Sequence, residues 1–166
     1  VCVPAAEANQ VIEDCGRARV AAAIVISAGF AETGPEGKVR QEELLATARR
    51  FGVRILGPNC LGVINTDPEV RFQATFAGIV PKPGRVGLLS QSGTLGAVIL
   101  GHARDAGLGI SSFVAVGNKA DLSGNDLLQY WLDDERTDVV LLYLESFGNP
   151  RRFGRNVRQV AARKPV

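Results

Sequence analysis

The sequence predicts an α/β protein built from parallel sheets in two successive units. Short β-branched apolar runs alternate with longer segments of helical period, the pattern of strand–helix–strand units. The alternation is interrupted once, over residues 66–84, by a stretch that contains several prolines and glycines and has no helical period. The 19 glycines in 166 residues agree with the many tight turns that such a fold needs. We therefore expect two three-layer units, each with a parallel sheet.

The first unit contains two helices between short strands. Residues 1–3 have the character of a strand end. Apolar periodicity predicts helices over 5–18 and 37–51 and strands over 22–27 and 53–56. Gly52 follows the last apolar position of the second helix and predicts where that helix stops.

The second unit repeats the pattern three times. The expected strands are 86–90, 112–116 and 138–144, and the expected helices are 92–107, 124–133 and 150–163. The last strand is almost wholly apolar, which is typical of a strand covered on both faces. We therefore predict a first domain over 1–77, a linker over 78–84 and a second domain over 85–166. Both ends have the character of interrupted strands, so we expect the parent protein to be longer.

Composition narrows the classes of function. A net charge of +2 argues against nucleic-acid binding as a main role, and no apolar run approaches the length of a membrane span. Three cysteines without CxxC spacing indicate a reducing compartment and argue against a disulfide framework or a zinc site. We therefore expect a cytoplasmic protein with no nucleic acid, membrane or metal partner.

The turn from Ser90 to Thr94 is the sharpest candidate site. In parallel sheets, ligands bind beyond the carboxyl ends of the strands, where helices begin. The first N–H groups of a helix lack internal partners and carry partial positive charge. Gly93 lets an anion approach the backbone, and Ser92 or Thr94 can donate a further hydrogen bond. The segment predicts a phosphate or carboxylate site, and simple capping of the helix by serine is the alternative.

Other candidate residues carry weaker signals. Glu145 ends a predicted strand and could be a general base, a partner for a histidine or an acceptor for loop amides. His102 is the single histidine, and its place inside a helix argues against catalysis. Cys60 has no nearby histidine to activate it and is interpreted as a packing residue. Asn118 to Asp121 match a guanine-reading motif, but the phosphate loop of GTPases is absent.

Five segments together resemble a known family. They are SAGFAE, GPNCLGV, GRVGLLSQSGTLG, VGNKADLSGNDLLQYW and LYLESFGNPRRF, and they span nearly the whole chain. In this order they resemble the NDP-forming acyl-CoA synthetases, relatives of the succinyl-CoA synthetase α subunit. GNDLLQYW and YLESFGNPR are most similar to bacterial proteins that join this region to a GNAT-type acetyltransferase domain. The resemblance implies part of a Rossmann-like CoA-binding domain followed by part of a flavodoxin-like domain.

The resemblance also implies a set of site residues. Those expected at the CoA site are Ile26, Ser27 and Ala28, with Pro58, Asn59 and Cys60 nearby. Those expected to bind phosphate, at the helix start that faces a phosphorylated histidine, are Ser90, Ser92, Gly93 and Thr94. Glu145 would orient that histidine, which in the family lies in a later loop, beyond Val166.

In the family, a phosphoryl group moves between an acyl phosphate, the histidine and ADP, and CoA carries the acyl group. The resemblance implies an ADP-forming acyl-CoA synthetase, with acetyl-CoA as the expected product. CoA and a small acyl substrate are the expected ligands, and an ATP-grasp subunit or domain outside this chain would bind ADP or ATP with Mg²⁺. The assembly would be a homo- or hetero-oligomer, and these residues alone would not complete a turnover.

Two alternatives remain open from the sequence. The chain could be a CoA- or acyl-CoA-binding regulatory module of a GNAT-type protein lysine acetyltransferase without synthetase activity. It could also belong to a dinucleotide-binding oxidoreductase, although no G-x-G-x-x-G motif occurs in these residues.

Overall fold

A computed structural model describes residues 1–166 and contains five α-helices, one short 3-10 helix (Ala31–Thr33) and seven strands. The helices are α1 (Ala5–Arg17), α2 (Pro35–Phe51), α3 (Gly93–Asp105), α4 (Gly124–Asp133) and α5 (Pro150–Ala161). The strands are β1 (Ala22–Ile24), β2 (Arg54–Leu56), β3 (Gly62–Asn65), β4 (Phe72–Thr75), β5 (Pro83–Ser90), β6 (Ile110–Ala115) and β7 (Val139–Tyr143). None of the helices combines the length and apolar character that crossing a membrane requires.

The first sheet pairs β1 with β2 in parallel. The Val1 carbonyl accepts the Ile26 N–H at 3.0 Å, so the start of the chain runs beside β1, as expected of a strand end. Helices α1 and α2 share one core with this sheet, formed by Ala8, Ile12, Ala23, Val25, Phe30, Leu44, Ala48, Val53 and Ile55. Gly52 ends α2 in the left-handed conformation, with φ of 72°, as the sequence predicts.

The second sheet has the strand order β4-β3-β6-β5-β7. Strands β6, β5 and β7 are parallel, whereas β3 runs antiparallel to both β4 and β6. Helix α3 packs on one face, and α4 and α5 pack on the other. Every residue of β6 is buried, because this central strand is covered on both faces. The predicted α/β class with parallel sheets is confirmed.

Two elements of the second sheet differ from expectation. Strands β3 and β4 were not predicted, and β4 lies within the stretch expected to be a connection without strands. Strand β7 lies at the edge of the sheet, so the expectation of cover on both faces is wrong: Leu141 and Tyr143 are 45% and 39% exposed. Helix α3 covers β5 and β6 and leaves this face of β7 open.

The two sheets share a core. Ile24 and Leu56 of the first sheet, with Ile26 just after β1, pack in the same cluster as Leu128 and Trp131 of α4. Strands β3 and β4 hydrogen-bond within the second sheet, although they precede the predicted linker. The division of the chain at residues 78–84 stays a prediction.

Trp131 is a member of this cluster and provides a test of how α4 packs on β6. Its indole N–H donates to the Ser112 hydroxyl at 2.8 Å, and both side chains are buried. Replacing Ser112 by alanine leaves the N–H without an acceptor, so we expect the free energy of unfolding to fall by about 1–3 kcal/mol.

Far-UV circular dichroism during urea unfolding measures this loss, and it also works in variants without the single tryptophan. Ser112→Ala should cost less in a Trp131→Phe background, where no indole N–H remains. Equal losses in both backgrounds would contradict the role of this hydrogen bond.

Candidate functional site

A cleft of about 880 Å³ lies between the two units, within the range typical of small-molecule sites. It collects the loops that follow β1, β2, β5, β6 and β7, as expected for the carboxyl ends of parallel strands. Its lining residues are Ile26, Ala28, Glu32, Asn59, Cys60, Leu61, Phe76, Ala77, Gln91, Ser92, Gly93, Thr94, Ala97, Val98, Gly117, Asn118 and Glu145.

The start of α3 forms one wall of the cleft. Ser92 is the N-cap, and its hydroxyl accepts the Leu95 N–H at 3.3 Å. Ser92, Gly93 and Thr94 all line the cleft. Ser90 is fully buried beneath the turn, where its hydroxyl donates to the Ser92 carbonyl at 2.6 Å. The structure thus contains the serine cap, and anion binding at the three lining residues stays a prediction.

The residues expected at the CoA site divide into two groups. Ile26, Ala28, Asn59 and Cys60 line the cleft. Ser27 and Pro58 lie behind it.

The two residues behind the cleft support its loops. The Ser27 hydroxyl donates to the Val3 carbonyl at 2.5 Å, and the Pro58 carbonyl accepts the Asn118 N–H at 2.9 Å. Each of the two holds one loop against another segment of the chain.

Glu145 lies at the cleft in the loop after β7 and is exposed to solvent. Its backbone N–H donates to the Gln91 side-chain oxygen at 3.0 Å, whereas its carboxylate accepts no hydrogen bond from the chain. The Glu145 carboxylate therefore does not accept hydrogen bonds from loop amides in this structure. The carboxylate is available to a group in the cleft.

Glu32 and Asn118 also line the cleft, although the sequence predicts no role for them there. The Glu32 carboxylate accepts the N–H groups of Gly29 and Phe30 and the Asn118 amide. Burial acts to raise the pKa of Glu32, but these hydrogen bonds outweigh it and hold the pKa below its usual value. The Asn118 amide also donates to Gln41 on α2 at 2.9 Å. Asn118 therefore ties the second unit to the first.

Gln91 and Lys119 lie in two of the segments singled out above, but the sequence predicts no role for either residue. The Gln91 side-chain oxygen accepts hydrogen bonds from the N–H groups of Glu145 and Ser146 and from the Lys119 ammonium. Three loops of the second sheet therefore meet at one amide oxygen. The groups that donate to this oxygen lie 28 to 55 residues from Gln91 along the chain, so no local sequence pattern identifies these contacts.

The other residues considered from the sequence as functional candidates, His102 and Asp121, do not line the cleft. His102 is exposed in the last turn of α3 and does not line the cleft. Asp121 accepts two hydrogen bonds from Arg54, at 2.8 and 3.1 Å, and one from the Ile55 N–H. This carboxylate is engaged with the first sheet and is not placed to read a base. No group of three or more potential metal ligands occurs.

Gly117 lies at a close backbone contact between the two units. Its φ is +52°, and a Cβ on it would lie 2.2 Å from the Asn59 carbonyl oxygen and 2.4 Å from that of Pro58. The loop after β6 therefore passes the loop after β2 with backbone against backbone. Only glycine allows both the conformation and the approach.

Comparisons with known proteins agree with this architecture. A family model described as a CoA binding domain matches residues 1–66, and one described as a succinyl-CoA ligase-like flavodoxin domain matches residues 83–166. The chain is 45% identical over 166 residues to the ADP-forming acetate–CoA ligase I of Archaeoglobus fulgidus. The match covers all of this chain and 24% of that protein. It is 42% identical, again over its full length, to the α subunit of the ADP-forming acetate–CoA ligase I of Pyrococcus furiosus and covers 36% of it.

A solved structure shows the same fold. The acetyl-coenzyme A synthetase 1 of Ca. Korarchaeum cryptofilum, in complex with phosphate and ADP, matches with a TM-score of 0.94 at 41% identity. The match covers 99% of this chain and 35% of that one. The chain thus spans between a quarter and about a third of the length of these relatives. None of them is described as an acetyltransferase, so the expected similarity to GNAT-fused proteins finds no support among them and stays a prediction.

Gly117→Ala tests the contact between the units. A matched control is Gly107→Ala, because Gly107 also has positive φ (+73°) but has no atom within 4 Å of an added Cβ. We expect the control to lose about 1–2 kcal/mol of stability from backbone strain alone and Gly117→Ala to lose more. Urea unfolding of both variants measures the difference, and equal losses would contradict a close contact.

Cys60 offers a test of burial. Burial raises the pKa of its thiol to about 11, and the thiolate is the reactive form. At pH 7 we expect a thiol reagent to modify exposed Cys2 readily and Cys60 only after unfolding. Peptide mapping by mass spectrometry identifies the labelled residue. Rapid labelling of Cys60 in the folded protein would contradict the burial of its thiol in the cleft wall.

Proposed function

The chain belongs to the succinyl-CoA ligase-like family of NDP-forming acyl-CoA synthetases, and on this premise we propose that its cleft binds CoA and receives a phosphorylated histidine during ADP-forming acyl-CoA synthesis. Acetate is the proposed acid, since relatives at 42% and 45% identity are described as acetate–CoA ligases. One observation carries the proposal: the start of α3, Glu145 and the loops after β1 and β2 all line one cleft.

The cleft suits an extended ligand with both apolar and charged parts. Its volume is in the usual range for ligand sites, and 8 of its 17 lining residues are hydrophobic. Ile26, Ala28 and Asn59 would bind CoA from the side of the first unit. When bound, CoA supplies the thiol that accepts the acyl group.

The start of α3 would hold the phosphoryl group. The first N–H groups of the helix, at Gly93 and Thr94, have no partner within the helix and can donate to a bound anion. Ser92 fixes the geometry of this turn through its cap to Leu95. Gly93 lacks a side chain that would keep an anion from the backbone.

Glu145 would orient the histidine from the opposite loop. A carboxylate that accepts the N–H of one imidazole nitrogen fixes the tautomer, so the other nitrogen is free to take the phosphoryl group. Glu145 is suited to this because its carboxylate has no other partner in the chain. The histidine would come from another part of the protein.

The remaining partners are proposed to lie beyond these residues. An ATP-grasp domain or subunit would bind ADP or ATP with Mg²⁺, in keeping with the relative solved with phosphate and ADP. A homo- or hetero-oligomer is proposed on the same grounds, since one relative is an α subunit. The three unpaired cysteines support a cytoplasmic location.

The test is phosphorylation of the full protein by radiolabelled acetyl phosphate. We expect a labelled histidine in the wild type and labelling slowed at least about tenfold in Glu145→Gln, because the amide no longer fixes the tautomer. Glu135→Gln is the matched control, since Glu135 is exposed and lies outside the cleft.

Circular dichroism and thermal unfolding establish that each variant is folded. An unlabelled wild-type protein would contradict the proposed function. Labelling of Glu145→Gln at the wild-type rate would remove Glu145 from the reaction.

A further inference from the structure

The loop that carries Glu145 has little support of its own. Residues 145–149 are all exposed, and the loop leaves β7 at the edge of the sheet. A side chain that orients a reacting group must itself be held in place. The contacts of this loop with the rest of the chain therefore decide how well Glu145 can act.

Gln91 supplies the first anchor. Its side-chain oxygen accepts the N–H of Glu145 at 3.0 Å and that of Ser146 at 3.2 Å. Its own backbone N–H donates to the Tyr143 carbonyl at 2.9 Å. The Ser90–Thr94 turn and the Glu145 loop are thus joined through one residue.

Lys119 supplies the second anchor. Its ammonium donates to the Gln91 side-chain oxygen at 3.2 Å and to both the carbonyl and the hydroxyl of Ser146. An ammonium has three N–H donors, and all three are used here. Lys119 is not among the residues that line the cleft, so it contacts the loop from outside the cleft.

Two further observations agree with a dedicated role for Lys119. Its φ is +44°, a left-handed conformation that costs energy for a lysine and that is found at sites where the structure enforces it. Burial lowers the pKa of Lys119, and the negative charge of Glu145 acts in the opposite direction. The ammonium is therefore partly desolvated and lies within the field of the Glu145 carboxylate.

We propose that Lys119, through Gln91 and Ser146, is a positioning residue that holds Glu145 at the cleft. This proposal rests on the proposed function for its catalytic consequence, but the contact itself can be tested without activity. We call the group of Gln91, Lys119 and Ser146 the loop anchor.

Hydrogen exchange tests the loop anchor directly. In the full protein, Lys119→Met removes all three donors and keeps a side chain of similar length. We expect faster exchange of the amides of Glu145 and Ser146, with little change in α1 or α2. Lys38→Met is the matched control, because Lys38 is exposed on α2, where it reaches only Glu42 at 4.0 Å. Unchanged exchange at residues 145–146 would overturn the proposal.

Ser146→Ala gives a second variant that removes one acceptor and no charge. We expect an intermediate rise in exchange, and the double variant with Lys119→Met should exchange no faster than Lys119→Met alone. If Lys119→Met does not fold, Gln91→Met decides the matter, because it removes the oxygen that joins Lys119 to the N–H groups of Glu145 and Ser146. Wild-type exchange at residues 145–146 in that variant would overturn the proposal.

Kinetics separate positioning from a purely structural role. We expect Lys119→Met to slow phosphorylation by acetyl phosphate about tenfold to a hundredfold while the KM for CoA stays within about twofold, because a small displacement affects chemistry more than binding. Faster loop exchange with wild-type phosphorylation would overturn the positioning of Glu145. An unlabelled wild type would instead contradict the proposed function, and the exchange data would still decide whether the loop anchor exists.

Discussion

The backbone contact between the loop after β6 and the end of β2 is the constraint on which the cleft depends. Three N–H groups of this loop donate to carbonyls of the first unit, the pairs being Asn118 to Pro58, Ala120 to Gly57 and Leu122 to Ile55. The loop thus lies along β2 much as a further strand would. Since backbone hydrogen bonds fix both distance and direction, the second unit is held in one orientation against the first. The Arg54–Asp121 ion pair adds a contact to the same edge.

The shared apolar core makes this arrangement costly to open. Ile24, Ile26 and Leu56 turn one face of the first sheet toward α4, while the opposite face packs on α1 and α2. Separating the units would expose that face to water, which is unfavourable in proportion to the apolar area exposed. The cleft walls therefore come from two sheets that behave as one packed body. A ligand site between them needs no large closure to form its walls.

Local patterns predicted the helices and the parallel strands because both have periods that a single segment reveals. The same approach missed β3 and β4, which are short and depend on pairing with β6 for their stability. It overestimated the cover of β7, because no pattern says which strand lies at an edge. It pointed to Ser92, Gly93 and Glu145, which follow strands directly and line the cleft, and it predicted no role for Gln91 and Lys119. Those two act through partners far along the chain, and single-sequence reasoning does not reveal such partners.

Two strained backbone positions lie where the loops meet. Of the four residues other than glycine with positive φ, Asn59 and Lys119 lie in the loops after β2 and β6. Such conformations persist only where surrounding contacts enforce them, and they are common at functional sites. Here each has a visible consequence: the loop containing Asn59 presents its carbonyls to Gly117, and Lys119 reaches Ser146. The strained positions therefore lie in the loops that must meet at the cleft for the proposed chemistry. Strain, close packing and the loop anchor therefore act on one feature, the relative position of Glu145 and the start of α3.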